Sequence, residues 1–153
     1  MLGWEYPPQV AGGLGAACEG LTTALADLGH EVVLAVPAGA EDDDVRDHPG
    51  IERVQIPIGS GAAGPPVLSP YAPSQLVHEE PGPVAPGTEG RRAASRRLYG
   101  ADLDAALKRY TAAALQELGD RQFDVIHAHD WMTIPAAMRL RLATGSPVCL
   151  QLH

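Results

Sequence analysis

The sequence predicts an α/β fold, a Rossmann-like parallel sheet with flanking helices. Three observations carry that prediction. Apolar residues at helical spacing alternate along the chain with short, continuously apolar runs, and a strand apolar on both faces is what a buried parallel sheet needs. Glycine follows the helical runs, where the backbone must turn. The later strands are reached through helices rather than tight hairpins, the pattern of a βαβ unit.

Met1 to Trp4 is the end of a first strand, which runs into the proline- and glycine-rich turn from Glu5 to Gly15. Leu14, Cys18, Leu21, Leu25 and Leu28 then recur at steps of four and three, one face of a helix, with Gly29 as its C-cap. Glu31 to Val36 is a short β-branched run stopped by Pro37 and reads as a buried strand. Between Pro37 and Gly90 the composition changes, because ten of the 14 prolines fall there. Within it only Val54, Ile56 and Ile58 alternate as a strand, and Pro57 demotes that strand to an edge. Residues 59–90 hold too little apolar surface to offset their ordering entropy. They are expected to form a long, flexible, disordered insertion inside one domain. Leu103, Leu107, Tyr110, Ala114 and Leu118 restore helical spacing, closed by Gly119. Phe123 to Ala128 is the next strand. Thr133 with Pro135 opens a helix that carries Met138 and Leu142 and ends near Gly145. Pro147 to Leu152 is the last strand.

With 153 residues the chain has room for one domain, and 45% hydrophobic and 20% charged residues are globular values. No apolar run approaches the ~20 residues that a membrane span requires. The first residues lack the basic start and apolar stretch of a secretory leader. Cys18 and Cys149 lie far apart and form no metal-type pair, so reduced thiols in a cytoplasm are expected. A net charge of −8 argues against nucleic acid or anionic membrane as a partner. The charge is uneven: Glu41 to Asp44 are acidic, while Arg91, Arg92, Arg96 and Arg97 form either a phosphate patch or a solvated face.

Three places could carry chemistry. In the turn from Glu5 to Gly15, glycines allow close backbone approach, and the free N–H groups of a helix start favour a phosphate. A tight connection without a ligand is the competing reading of the bare pattern. The dinucleotide fingerprint is not met, since the third glycine position holds Cys18 and no acidic residue ends the following strand. The second place is His127-Ala-His-Asp-Trp131 at a strand's C-terminal end, where ligand crevices of open α/β sheets lie. Alternation sends His127 and His129 to one face, which reads either as a core histidine at His127 or as a metal pair lacking further ligands. His129, Asp130 and Trp131, just past the strand, are placed to receive a ligand: a carboxylate for sugar hydroxyls and an indole for a sugar face. The third is His153, alone at the end of its strand.

Together, Trp4-Glu-Tyr-Pro-Pro8 with Gly12-Gly-Leu-Gly15, a helix ending Leu28-Gly-His30, Phe123-Asp-Val-Ile-His-Ala-His-Asp-Trp131 and a strand closing on His153 resemble the N-terminal domain of GT-B-fold glycosyltransferases. The nearest group is the glycogen and starch synthase-like, family 4 (group 1) enzymes. The likeness covers roughly Met1 to Pro37 and Tyr110 to His153. It implies a retaining transfer of a sugar from a nucleotide-sugar donor to a carbohydrate acceptor, in a cleft between two Rossmann-like domains. By that resemblance Gly12, Gly13 and Gly15 lie near the donor diphosphate. His129, Asp130 and Trp131 line the sugar and acceptor side, and Asp130 and His153 are the candidate catalytic residues. No metal or cofactor is implied beyond the nucleotide sugar itself. Two positions depart from bacterial glycogen and starch synthases, which carry lysine where Val10 stands and aspartate where Ala16 stands; this puts ADP-glucose in doubt. Residues 1–153 are therefore expected to be a truncated acceptor-side domain, inactive until a nucleotide-binding C-terminal domain joins it in the same chain or as a partner subunit. Two other readings compete: a non-catalytic remnant that binds sugar or phosphate, and a metal-dependent hydrolase built on His127 and His129.

Overall fold

The computed structural model describes residues 1–7, 13–38, 48–58 and 103–153. The expected insertion at 59–90, both charge clusters and Gly12 lie outside the described residues. Helix α1 (Gly13–Asp27) leads to strand β1 (Val32–Pro37), followed by β2 (Ile51–Ile56). Helix α2 (Leu103–Leu118) precedes β3 (Ile126–His129), a 3₁₀ turn (Trp131–Thr133), α3 (Ile134–Thr144) and β4 (Val148–Gln151). The strands form two parallel ladders, β1 with β2 and β3 with β4.

The N-terminal segment joins the ladders. Leu2 pairs in parallel with Ala35 of β1 and with Ala128 of β3. Its N–H donates to the His127 carbonyl at 2.7 Å, and its own carbonyl accepts from the His129 N–H at 3.0 Å. On the other side Gly3 N–H donates to Ala35 O at 2.9 Å. The spatial order is therefore β2, β1, the Leu2 segment, β3, β4: an open parallel sheet whose centre is the start of the chain. Among the described residues β2 is an edge, as Pro57 predicts, since proline there has no N–H to give a further neighbour.

The core forms where helices meet this sheet. Trp4 and Tyr110 are fully buried and meet edge to face with centroids 5.4 Å apart. The Tyr110 hydroxyl donates to Ala35 O at 3.0 Å, so a buried phenol is satisfied by the sheet's own backbone. α1 packs on β1 and β2, while α2 and α3 pack on each other, α3 also covering β3 and β4.

Four details differ from the sequence reading. The buried face of α1 is Leu14, Gly15, Cys18, Thr22 and Ala26, and Leu28 lies past the helix with 76% exposure. Thr22 can be buried because its hydroxyl donates to Cys18 O at 2.6 Å. Thr133 does not cap α3 with its side chain. Its hydroxyl instead donates to His129 O at 2.9 Å and Asp130 O at 3.1 Å. Gly29 and Gly145 take the left-handed conformation expected of C-caps, with φ of 89° and 76°. Gly119 does not; it is small for a steric reason, since a Cβ there would meet Leu115 O at 2.4 Å. Finally, β3 and β4 are shorter than the runs that announce them, and β3 takes in His129.

Candidate functional site

Parallel strands deliver their C-terminal ends to one edge of the sheet, and the candidate residues collect there. Trp4 and Glu5 end the central segment, Asp130 and Trp131 follow β3, and His153 follows β4. α1 starts at Gly13 with Leu14 and Gly15 buried in its first turn. That helix start directs backbone N–H groups and the positive end of its dipole outward, as anion binding requires.

Asp130 is the most constrained residue of the edge. Its φ of 64° and ψ of 166° fall in a region that L side chains rarely adopt, at a cost of ~1–3 kcal/mol. Four hydrogen bonds hold it there. Its N–H donates to Gln151 O at 2.7 Å, tying it to β4, and its carbonyl accepts from Thr133 N–H at 3.2 Å and from the Thr133 hydroxyl. Its Oδ1 accepts from Trp131 N–H at 2.8 Å, capping the 3₁₀ turn. The carboxylate is thereby fixed in direction while Trp131 keeps 42% of its surface exposed beside it.

The histidines form a stack. His127 and His129 rings lie 4.4 Å apart at 32°, and His129 and His153 lie 5.6 Å apart at 14°. His129 Nδ1 and His153 Nε2 are 3.3 Å apart, so one ring donates to the other. His129 is fully buried, and that burial, aided by repulsion from His127 and His153, pulls its pKa from 6.5 to about 4. It is neutral at pH 7. His127 is shifted down as well, by burial first and then by the Met1 ammonium. Nε2 of both rings is buried without a hydrogen-bond partner among the described residues. The rings stack rather than converge, and among the described residues no group of three metal-ligating side chains could hold an ion.

The structure thus brings His129, Asp130, Trp131 and His153 to one edge, and places Gly13 and Gly15 at a helix start. His129 sits within β3 rather than past it. Two residues escaped the sequence reading. Thr133 orients the strand end, although its position before a proline signalled only a cap. Glu5 is a buried carboxylate at the end of the central segment, its only signal being the acidic residue before Tyr6-Pro7. Cys18, beneath it, has its thiol pushed up to about 12 by burial and by Glu5, which leaves it protonated and inert.

Among the described residues no helix is long and apolar enough to cross a membrane. The profile of a family described as glycosyl transferase 4-like domain matches residues 12–153. A glycogen synthase of Mycobacterium tuberculosis (strain H37Rv) is 32% identical over 158 residues, covering 100% of this chain and 32% of its own. An uncharacterized glycosyltransferase of Methanocaldococcus jannaschii is 25% identical over 153 residues, covering 100% of this chain and 30% of its own. The chain therefore spans about a third of the length of the curated relatives it matches. No solved structure matches it.

Proposed function

The chain belongs to the glycosyl transferase 4-like family, and we propose that it forms the acceptor-side domain of a retaining glycosyltransferase. The bond between a sugar's anomeric carbon and the donor's diphosphate oxygen breaks, and a bond from that carbon to an acceptor hydroxyl oxygen forms. The acceptor's proton leaves with the nucleoside diphosphate. The observation that best supports this reading is the rigid strand end at Asp130, a fixed carboxylate beside an exposed indole.

Each residue has a part in this proposal. Gly12, Gly13 and Gly15 let the start of α1 approach the donor diphosphate. Asp130 accepts from sugar hydroxyls and Trp131 stacks on a sugar face. His153 faces the transferred sugar at the reaction centre. His129 supports it as a neutral partner, because a group with pKa about 4 adds no competing charge where positive charge develops on the sugar. A second Rossmann-like domain, in the same chain or a partner subunit, closes over the donor and excludes water. These residues alone bind sugar without turning it over. No cofactor is required beyond the nucleotide sugar, and two unpaired thiols suit a cytoplasmic setting.

Calorimetric titration with maltooligosaccharides and with nucleoside diphosphate glucoses, alongside a transfer assay, tests the reading. Trp131→Ala is expected to weaken oligosaccharide binding at least ~tenfold, as loss of a stacking face should. No binding of any sugar or nucleotide sugar would sink the acceptor-side assignment. Turnover by the chain unaided would sink the requirement for a second domain.

A further inference from the structure

His129 is tightly held. Its N–H donates to Leu2 O at 3.0 Å and its carbonyl accepts from the Thr133 hydroxyl at 2.9 Å, so the backbone is fixed on both sides. The ring is fully buried and lies against His127 with centroids 4.4 Å apart. His153 is exposed and comes from beyond β4. The planes of the His129 and His153 rings are 14° from parallel, and Nδ1 of one lies 3.3 Å from Nε2 of the other while the centroids are 5.6 Å apart. What remains of the centroid separation is the ring radii alone, so both nitrogens sit close to the line joining the rings. That is where an imidazole N–H or lone pair points. His153 thus joins the stack through an edge, in a hydrogen bond whose direction is set by where the proton lies.

Burial keeps His129 uncharged at pH 7, with one proton for two nitrogens. Its Nε2 is buried and has no hydrogen-bond partner among the described residues. A proton there would be an orphaned buried N–H, and Nδ1 would accept from His153. A proton on Nδ1 instead finds an acceptor, and only a bare ring nitrogen stays without a partner. Buried N–H groups without an acceptor are the rarer of the two in folded proteins.

We infer that His129 is a positioning residue that fixes the tautomer of His153: His129 donates from Nδ1 to Nε2 of His153, and the proton of the uncharged His153 ring lies on Nδ1. Its part in the reaction rests on the proposed place of His153 at the transferred sugar. There His153 is a hydrogen-bond donor to a sugar hydroxyl and not a base, since the nitrogen that could take a proton is already engaged. This agrees with a transfer in which the acceptor's proton leaves with the nucleoside diphosphate. It also selects for sugars that offer a hydroxyl oxygen at that point, because a deoxy sugar leaves the N–H unpaired.

Nitrogen-15 NMR of the 153-residue chain at about pH 8, where an ordinary imidazole is uncharged, reads the tautomer of each ring directly. Protons are expected on Nδ1 of both His129 and His153. In His129→Leu the Nδ1–H form of His153 should fall at least about twofold, as the ring returns to the mixture of a free imidazole. His129→Asn, whose amide N–H takes the place of Nδ1–H, should restore it. A wild-type His153 proton on Nε2 overturns the inference, and this spectrum decides even where a variant fails to fold. An unchanged His153 tautomer in a folded His129→Leu chain overturns it too. Added UDP-glucose should shift the His153 Nδ1 resonance; binding that leaves Nδ1 unmoved overturns the donor role. Tautomers are read without sugar, so failure of every sugar to bind would sink the proposed function and leave the tautomer result standing.

Discussion

The two edges of the sheet are built from the same strands and are unlike in every respect that matters. At the C-terminal edge, polar groups are buried, hydrogen-bonded to one another and held at a backbone angle that costs energy: Asp130, Thr133, His129. At the N-terminal edge apolar side chains such as Leu25 and Phe123 alternate with charged and polar ones such as Glu31, Arg121 and Asp124 around an open cleft. Both edges lie within one parallel sheet, so the contrast is not one of fold. Side chains and turns divide the work: one edge spends stability on fixing functional groups, and the other holds no non-glycine residue at a positive φ among the described residues.

The largest expected effect falls on the segment that joins the edges. Trp4→Ala removes a fully buried indole and its contact with Tyr110, and should cost ~3–5 kcal/mol in urea unfolding. A cost below about 1 kcal/mol would show that the central segment does not couple the edges. At the C-terminal edge, Asp130→Ala and Asp130→Gly lose the same carboxylate but differ in strain. The glycine form should be the more stable by ~1 kcal/mol, because only glycine occupies that backbone region without cost. Equal stabilities would mean that the strained angle is not kept in solution.

Acid separates the edges by their windows. The Met1 ammonium and His129 both have folded pKa values below their ordinary ones, so the unfolded chain binds more protons and stability falls as pH falls. For Met1 the loss runs from 8.0 down through about 6, and N-terminal acetylation should abolish it. For His129 it runs from 6.5 down to about 4, with His127 adding in the same direction, and His129→Gln should flatten it. Unfolding curves measured between pH 4 and pH 9 check both windows; a single window unmoved by either change would contradict the assignment. The smallest effect belongs to Arg121 at the cleft rim. It pairs with Glu52 through two bonds of 2.7 and 2.6 Å, yet both partners are substantially exposed. Arg121→Ala should therefore change stability by under ~1 kcal/mol.

Much of this was legible beforehand. Helical spacing found α2 through Tyr110, Ala114 and Leu118, and Pro57 marked β2 as an edge. The strand end marked His129, Asp130 and Trp131 as candidates and the family resemblance added His153; the sheet brings all four to one edge. Periodicity failed where a polar side chain satisfied itself locally: Thr22 bonds its own helix and so belongs to the buried face. It failed again at Asp130, whose angle is imposed by Gln151 across the ladder and by Thr133 three residues on. Such constraints come from tertiary contacts, and no local pattern announces them. Alternation put His127 and His129 on one face, but the addition of His153 to their stack escaped for the same reason, since it comes from beyond another strand.

The central position of Leu2 also has a consequence in time. Leu2 must pair with Ala128, 126 residues later in the sequence. At ~5–20 residues per second, it waits roughly ten seconds for that partner to be made. Until then β1 can pair with β2 and with Leu2, but the sheet stays divided, its inner strand open on one side. Long-range pairing of this kind is slow to close and exposed to competing associations. The domain is thus expected to be most vulnerable before β3 is made, and slower delivery of β3 should lower its yield more than slower delivery of β2.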